Sequence, residues 1–195
     1  TGNGNDGDLM VEAEWVDGRF GKAVKLNGNN QFVWVKKPQD LPIQADPRTM
    51  MCSFKWTSTW PAPADRKDPG DRMGGIAIVS YGKTPFNSRV TIWLDDHEAI
   101  GSITSFDTVL APWDGDEEWH HAALVYPPNE ELATAFLVYF DGELQETRVE
   151  LFNGNEHPLE TLDGDLTIGC LTGSIDRHFT GLIDDVAVFP YAMEP

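Results

Sequence analysis

EWHHAALVY, residues 118–126, is aromatic and apolar after its first residue and has the length of a β-strand. Successive side chains of a strand point to opposite faces, so His120 and His121 face opposite sides of one sheet. Two histidines bind one metal ion from positions i and i+2 of a strand or i and i+4 of a helix, and this pair has neither spacing. We therefore expect one histidine to pack inward with a hydrogen bond and the other to lie at the surface, with no catalytic or metal-binding role for the pair.

The length and charge of the chain limit its possible partners. Its 195 residues suit one domain with a sizeable core. It carries 32 Asp and Glu against 14 Lys and Arg, a formal net charge of −18 at pH 7. Such a surface repels nucleic acids and anionic lipids, which bind to clustered Lys and Arg, and leaves cations and neutral ligands as partners. No apolar stretch approaches the ~18 residues of a membrane span, so we expect no membrane insertion.

The two cysteines, Cys52 and Cys170, are compatible with one disulfide or with two free thiols. Each lies in an apolar run, where a thiol is buried as a small hydrophobic side chain, and this favours free thiols. The sequence contains no C-x-x-C pair or Cys/His cluster that would suggest zinc.

Short β-rich runs recur between Gly, Pro, Asn and Asp, and helical periodicity is nearly absent. This pattern predicts an all-β domain over residues 1–195, built as an antiparallel two-sheet β-sandwich of the jelly-roll type. In FDGEL, residues 140–144, Asp141 and Gly142 predict a hairpin with a two-residue type I′ turn. The longest irregular stretch, 57–75, is expected to be a surface loop. Strands are predicted at 31–37, 50–57, 75–81, 88–94, 99–104, 119–126, 134–140, 143–149, 165–170 and 182–189.

The acidic clusters do not match the carboxylate motif of a jelly-roll glycosidase. Jelly-roll glucanases carry their carboxylates on one strand, as in E-x-D-x-E, because alternation then puts them on one face. The pair Glu12 and Glu14 has no third carboxylate at this spacing. The cluster at 114–118 begins with Asp and is turn-like, outside any predicted strand, and no G-x-S-x-G serine or phosphate-binding loop is present. One enzyme hypothesis remains, in which Asp95 and Glu98 cleave a glycan. Positive evidence of catalysis is absent from the sequence.

Asp184 and Asp185 stand inside the apolar run LIDDVAVF, residues 182–189, so one of them points to the buried side of its strand. A buried carboxylate is costly unless it is paired, hydrogen-bonded or bound to a metal ion. Two interpretations stay open for Asp184: it is a ligand of a hard cation such as Ca²⁺, or it accepts hydrogen bonds from local backbone amides.

Several segments, taken in order, resemble the laminin G-like jelly-roll family, which has the concanavalin A-like lectin/glucanase fold. The resemblance covers nearly the whole chain and implies that the Trp-His-His run is part of a framework strand. The family's first strand precedes the TGNGNDG segment and is absent from this chain, which implies a domain excised from a larger protein. The segments are TGNGNDG (1–7), GRFGKAVKLNGNNQFVWV (18–35), MCSFKW (51–56), DEEWHHAALVY (116–126), LVYFDGEL (137–144), LTIG (166–169) and FTGLIDDVAVFPYAM (179–193).

The resemblance also implies a structural calcium ion. Domains of this type often hold one Ca²⁺ on a carboxylate of the last strand and on backbone carbonyls near an early strand turn. Carried over to this chain, the ligands are Asp184 and the carbonyls of Asn27 and Gly28, with Asn27 in place of the more common Asp.

In function, the resemblance implies a non-catalytic recognition module, above all for carbohydrate, that works outside the cell, at the cell surface or in the periplasm. A catalytic domain fused in the parent protein fits the same resemblance. Sugars stack on exposed aromatic rings, so we expect ligand contacts from Trp60 and Trp113 in loop-like stretches and from Trp93 with Asp95 on one strand face. The alternative for Trp60 and Trp113 is that they cover the core from loops. The alternative function is a domain that binds an extracellular protein, or a spacer, without a sugar ligand.

Overall fold

The computed structural model describes residues 4–57, 75–84, 88–95, 99–104 and 107–194, with side chains at all of these except 95, 99 and 103. Strands and turns account for nearly all of the regular structure in these ranges, with two single-turn 3-10 helices at Ala133–Ala135 and Phe152–Gly154. The strands are β1 (Asp8–Met10), β2 (Glu14–Asp17), β3 (Lys22–Asn27), β4 (Phe32–Val35), β5 (Arg48–Trp56), β6 (Ile76–Gly82), β7 (Arg89–Asp95), β8 (Ala99–Ile103), β9 (Thr108–Pro112), β10 (Trp119–Tyr126), β11 (Leu137–Phe140), β12 (Glu143–Leu144), β13 (Arg148–Glu150), β14 (Asp165–Ile168) and β15 (Thr180–Phe189).

The strands form two antiparallel sheets that enclose the core. One sheet has eight strands in the order β1-β4-β14-β6-β7-β8-β9-β13, and the other has seven in the order β12-β11-β10-β5-β15-β3-β2. Neighbours such as β10, β5 and β15 are far apart in sequence, as is usual in jelly-roll sandwiches. The predicted fold class is therefore confirmed. No helix within the described ranges is long and apolar enough to cross a membrane.

Alternate residues of the central strands supply the core. In β5, Met50, Cys52 and Phe54 are completely buried between the sheets, whereas Met51 is half-buried on the opposite face. β10 pairs with β5 along its whole length, and its first four residues alternate between partly exposed and buried before the strand becomes buried on both faces. Burial of one such side chain contributes roughly 1.5–3 kcal/mol. Burial of these alternate side chains is therefore the main source of the domain's stability.

Every predicted strand segment contains an observed strand, and β10 has the predicted bounds. The segment 143–149 divides into β12 and β13, and 134–140 begins with a 3-10 turn. Strands β1, β2, β3 and β9 were not predicted. β2 lies at the edge of its sheet and is mostly exposed, so its residues carry little of the apolar signal by which a strand is recognised.

The hairpin and thiol predictions are confirmed. Asp141 and Gly142 have φ values of +49° and +86°, as a type I′ turn requires. Cys52 and Cys170 are both free and buried. Burial raises the pKa of both thiols, that of Cys170 to about 12, so neither is a nucleophile near neutral pH.

A completely buried arginine joins the two sheets at one end of the core. Arg48 of β5 donates to the hydroxyls of Tyr81 (2.8 Å) and Thr161 (3.0 Å) and to the carbonyls of Gln44 (2.6 Å) and Asp46 (2.8 Å). Burial raises the pKa of the Tyr81 phenol to about 12 although the cation beside it acts in the opposite direction. These acceptors compensate the desolvation of the guanidinium group.

Candidate functional site

His120, the first of the two neighbouring histidines, points inward and holds two loops together. It is 9% exposed. Its Nδ1 lies 2.7 Å from Oδ2 of Asp141, and its Nε2 lies 2.6 Å from Oδ1 of Asp116. The imidazole stacks on the Phe140 ring with centroids 4.8 Å apart. His120 therefore ties the loop before β10 to the β11–β12 turn, which is the framework role expected from the sequence.

The two carboxylates favour the charged form of this imidazole. Burial lowers the pKa of His120, but the hydrogen bonds to Asp116 and Asp141 outweigh it, so the pKa lies above its ordinary value. The hydrogen bond from His120 lowers the pKa of Asp116 in turn. Both ring nitrogens of a charged histidine are donors, and here both meet acceptors.

His121 faces the outer side of the seven-stranded sheet, where it stands opposite Ser53 of β5. No side chain of the described residues hydrogen-bonds its ring. Burial, with a smaller contribution from Arg19, lowers the pKa of His121 against the opposing effect of Asp141. The ring is thus neutral at pH 7 and offers one donor and one acceptor to a ligand.

The β2–β3 turn presents an arginine and an exposed phenylalanine. The backbone N–H of Gly18 donates to the carbonyl of Gly21 at 3.0 Å and closes the turn. Phe20 is 70% exposed, and Cζ of Arg19 lies 5.7 Å from the centroid of its ring. The closed turn keeps this large apolar ring exposed to solvent, where a ligand can cover it.

Asp184 holds this turn in place. It is 7% exposed, and its Oδ2 accepts the backbone N–H of Phe20 at 3.3 Å. Its Oδ1 accepts the N–H of Asp185 at 2.9 Å. A Cβ atom at Gly18 would collide with the same carboxylate, so only glycine lets the turn approach the last strand this closely. Of the two interpretations left open by the sequence, the hydrogen bonds agree with the second, an acceptor of backbone amides.

A depression on the outer face of the seven-stranded sheet brings these groups together. Its volume is about 590 Å³, within the range of roughly 300–1,000 Å³ that is common for small-ligand sites. A β-bulge between Asp184 and Ala187 interrupts β15, and Asp185, with φ +48°, is exposed there. We call this the aromatic depression; it is lined by Arg19, Phe20, Met51, Ser53, His121, Asp185, Val186 and Ala187.

The aromatic depression combines one apolar surface with hydrogen-bonding groups of both kinds. The Phe20 ring supplies the apolar surface. Arg19 only donates, Asp185 only accepts, and the His121 ring and the Ser53 hydroxyl do both. The arrangement suits a small ligand that has an apolar face and several hydroxyl groups.

The predicted calcium ligands do not come together. Thr180 of β15 stands opposite Asn27 of β3. Asp184 lies four residues further along β15, roughly 13 Å from that level at ~3.3 Å per residue. The set of Asn27, Gly28 and Asp184 is therefore wrong as one site, because the antiparallel ladder separates its members. Within the described ranges, no group of three or more His, Cys, Asp or Glu is placed to hold a metal ion. Calcium binding itself stays a prediction.

The prediction that Trp113 is exposed to a ligand is wrong. Trp113 is 6% exposed, and its ring packs edge-on against Phe54 and Trp56 with centroids 5.8 Å away in each case. The free energy gained by burying so large a ring outweighs the tendency of its polar sequence neighbours to keep this segment at the surface. Trp113 thus covers the core, as the alternative interpretation held, and Trp60 lies outside the described residues.

Trp93 is also buried, at 2% exposed, in a small cluster with Ala77 and Leu110 that is separate from the main core. It cannot serve as an exposed platform in this conformation. Asp95 is the last residue of β7, but its side chain lies outside what the structure describes, as does the whole of Glu98. The predicted ligand set of Trp60, Trp93, Asp95 and Trp113 is therefore not assembled among the described residues.

The sequence reasoning missed Phe20 and its neighbours, although a signal was present. In GRFG, residues 18–21, an aromatic residue stands between two glycines in a tight turn. Such a turn has too few side chains to bury a large ring, so the ring is exposed unless another element covers it. The sequence predicts that one of the two histidines lies at the surface, and the structure shows that it is His121.

Comparisons with known proteins agree with this fold. A model of the concanavalin A-like lectin/glucanases superfamily, of the laminin G type, matches residues 78–195, more than half of the chain. No curated protein sequence matches significantly. Domains LG4-5 of the mouse laminin α1 chain superpose with a TM-score of 0.56 at 12% identity, over 97% of this chain and 46% of that one.

Two toxin domains also superpose on the chain. The binding domain of Paraclostridial mosquitocidal protein 1 gives a TM-score of 0.54 at 14% identity, over 98% of this chain and 46% of that one. The receptor-binding domain of the botulinum neurotoxin C/D mosaic serotype gives 0.54 at 13% identity, over 98% and 45%. The chain spans less than half of each of these structures, and at such identities the likeness concerns the fold alone. By its match over residues 78–195, the chain belongs to the concanavalin A-like lectin/glucanases superfamily, among its laminin G-like members.

Proposed function

We propose that the chain is a non-catalytic recognition module that binds neutral carbohydrate in the aromatic depression. The observation that carries the proposal is the exposed Phe20 ring, fixed beside donors and acceptors on a rigid sheet. A pyranose has faces of C–H groups that cover an aromatic ring and a rim of hydroxyls that both donate and accept. The depression offers a partner for each of these features.

The charge of the chain favours neutral over acidic sugars. The net charge is −18, and Asp185 lies at the depression itself. A polyanionic glycan would meet repulsion from the whole domain, and among the described residues of the lining only Arg19 carries a fixed positive charge. A neutral sugar avoids this cost and can use Asp185 as an acceptor for its hydroxyls.

The matched proteins support a binding role. The toxin structures are described as a binding domain and a receptor-binding domain, and the superfamily is named for lectins and glucanases. We extend from these only the general role, recognition of a partner outside the cell, at the cell surface or in the periplasm. The choice of carbohydrate over a protein partner depends on the aromatic depression.

A glycan array tests the proposal. The purified chain is expected to bind neutral glycans, and Phe20→Ala is expected to lose that binding. Phe152→Ala, which changes another exposed aromatic residue, is the matched control and should bind as wild type does. Binding by Phe20→Ala equal to that of wild type, or binding by no protein on the array, would refute the proposal. The same array in EDTA tests the calcium prediction.

Incubation with the bound glycan tests for catalysis. The module is expected to leave the glycan intact over hours, as read by mass spectrometry. Cleavage that is lost in Asp95→Asn would instead establish the enzyme hypothesis built on Asp95 and Glu98.

A further inference from the structure

A second pocket opens at one end of the eight-stranded sheet, far in the fold from the aromatic depression. The strands β4, β14 and β6 are neighbours in this sheet, and β4 and β6 end where β14 begins. The volume of the pocket is about 550 Å³, which again suits a small ligand. We call it the polar pocket; its lining includes Lys37, Lys83, Thr84, Asp163, Gly164 and Gly173.

Lys37 stands on a turn that the fold holds in an unusual conformation. Its φ is +48°, in the left-handed region that residues with a side chain rarely adopt. Oδ1 of Asp165 accepts the backbone N–H of Lys37 at 2.9 Å, and Nε2 of Gln39 donates to its carbonyl at 2.9 Å. Such a conformation persists only where neighbouring contacts enforce it, so the place of Lys37 at the pocket is fixed by these contacts.

Two glycines bring the other walls of the pocket close together. A Cβ atom at Gly164 would collide with the carbonyl oxygen of Gly82 and would lie 3.0 Å from Cγ of Lys83. A Cβ atom at Gly173, whose φ is +84°, would lie 3.0 Å from Cγ2 of Thr84. The side chains of Lys83 and Thr84 thus pack over backbone, in space that other residue types at the two glycine positions would fill.

A buried arginine supports the wall that follows β14. Arg89 of β7 stands opposite Gly82 and is 8% exposed, and its Nη1 donates to the carbonyl of Thr172 at 3.1 Å. The hydroxyl of Thr172 donates to the carbonyl of Asp165 at 3.3 Å. Nε of Arg89 has no acceptor, and among the described residues no carboxylate hydrogen-bonds to this guanidinium. Arg89 therefore adds positive charge behind the wall of the pocket.

The charged side chains of the polar pocket have both signs and do not pair with each other. Elsewhere on the surface, lysines such as Lys22 and Lys25 contact carboxylates. In the part of the chain that the structure describes, neither Lys37 nor Lys83 forms an ion pair, and the exposed carboxylate of Asp163 accepts no hydrogen bond. One cavity thus presents cations and an anion that a ligand can pair with.

We propose that the polar pocket binds an α-amino acid as its zwitterion. The carboxylate of the ligand accepts hydrogen bonds from Lys37 and Lys83, and its ammonium group donates to Asp163. Hydrogen bonds between charged groups are stronger than neutral ones. The Gln39 amide and the Thr84 hydroxyl also line the pocket and suit an uncharged polar side chain, such as the amide of glutamine.

The charge of the domain disfavours simpler ligands for this pocket. The net charge of −18 repels a free anion such as sulfate. A simple cation is attracted to the domain as a whole but meets two lysines at the pocket. A neutral sugar has no charge to offer these lysines. A zwitterion carries no net charge and brings one partner for each sign.

Titration with three related compounds, followed by NMR, tests the proposal on the unmodified chain. The compounds are L-glutamine, 4-carbamoylbutanoate, which lacks its ammonium group, and 4-aminobutanamide, which lacks its carboxylate. We expect L-glutamine at millimolar or lower concentration to shift the amide signals of Gly82, Gly164 and Gly173 saturably. Each analogue should bind at least about tenfold more weakly, because it loses one set of charged hydrogen bonds.

Two variants assign each charge of the ligand to its partner. Lys83→Gln should weaken L-glutamine binding at least about threefold and leave the affinity for 4-aminobutanamide unchanged. Asp163→Asn should weaken L-glutamine binding roughly tenfold and leave the affinity for 4-carbamoylbutanoate unchanged. Lys25→Gln and Glu14→Gln change an exposed ion pair of β3 and β2 and are the matched controls, which should bind as wild type does.

Selective binding of L-glutamine with both of these losses supports the proposal. Binding of 4-carbamoylbutanoate as strong as that of L-glutamine would make the pocket an anion site, and equally strong binding of 4-aminobutanamide would make it a cation site. Either result overturns the proposal, as would the absence of saturable shifts at tens of millimolar L-glutamine. Phe20→Ala should bind L-glutamine as wild type does, so this test is independent of glycan binding in the aromatic depression.

Discussion

Oδ2 of Asp184 accepts the backbone N–H of Phe20 at 3.3 Å, although 164 residues separate the two in sequence. The bond connects the last strand to the β2–β3 turn and fixes the aromatic ring at the rim of the depression. Asp184 is thereby a positioning residue, and the groups that would touch a ligand are its neighbours. Sites placed on rigid elements in this way lose little entropy when a ligand binds.

Replacement of Asp184 tests this positioning role. Asp184→Ala leaves the N–H groups of Phe20 and Asp185 without their acceptor and is expected to cost about 1–3 kcal/mol of unfolding free energy. It should also weaken glycan binding without removing any ligand contact, whereas Asp184→Asn keeps one oxygen acceptor and should lose less. Urea denaturation and titration calorimetry measure the two effects.

Calcium distinguishes the two interpretations of the same carboxylate. If Asp184 only accepts backbone hydrogen bonds, its replacement by Ala lowers the melting temperature equally in CaCl₂ and in EDTA. A rise of the wild-type melting temperature with calcium that disappears in Asp184→Ala would contradict this account and make Asp184 a metal ligand.

His120 is expected to make stability depend on pH. Its folded-state pKa is raised, so its contribution is complete below the unfolded pKa of ~6.5 and is lost as pH rises through the folded value. His120→Gln should cost about 1–3 kcal/mol at about pH 5.5 and less at about pH 8.5. The lowered pKa of Asp116 gives stability the opposite pH dependence. The contribution of Asp116 is complete above its unfolded pKa and is lost as pH falls through its folded pKa. Wild type and His120→Gln both retain His121, so its titration cancels in the difference between them.

Urea denaturation of wild type and His120→Gln at the two pH values measures this dependence. A stability gap that stays constant, or that grows toward alkaline pH, would show that the Asp116–His120–Asp141 contacts do not favour the charged ring.

Arg48 is expected to be essential to stability. Arg48→Leu removes the donor to several carbonyls and to the hydroxyls of Tyr81 and Thr161, which stay buried, and should cost about 3–5 kcal/mol. Arg148→Leu changes an arginine on the partly exposed strand β13 and should cost less than about 1 kcal/mol. Guanidinium denaturation compares the two, and similar losses would mean that the buried network contributes little.

Alternation within single strands accounts for most of what could be predicted. The opposite orientations of His120 and His121 follow from the period of a β-strand, and the turn at Asp141 and Gly142 follows from the positive φ that type I′ requires. Both are local rules that involve only a few neighbouring residues. They held because the sandwich is built from such strands throughout.

The site depends on contacts that are distant in sequence, and these were not predictable in the same way. Trp113 follows a proline in a loop-like stretch. It is nevertheless buried, because its ring packs against Phe54 and Trp56 of β5. The separation of Asn27 from Asp184 depends on the register between β3 and β15, which neither segment encodes alone. The exposure of Phe20 could be recognised from its place in a turn between Gly18 and Gly21, but its position beside His121 could not.

The measurement that tests the central claim most directly is the affinity of the chain for a neutral glycan with and without the Phe20 ring. Titration calorimetry on wild type, Phe20→Ala and the control Phe152→Ala, with the strongest ligand from the array, compares the three proteins. The account predicts that Phe20→Ala loses at least about tenfold in affinity, or about 1.4 kcal/mol, while the control is unchanged. Equal affinity of all three proteins would place recognition elsewhere on the domain and contradict the account.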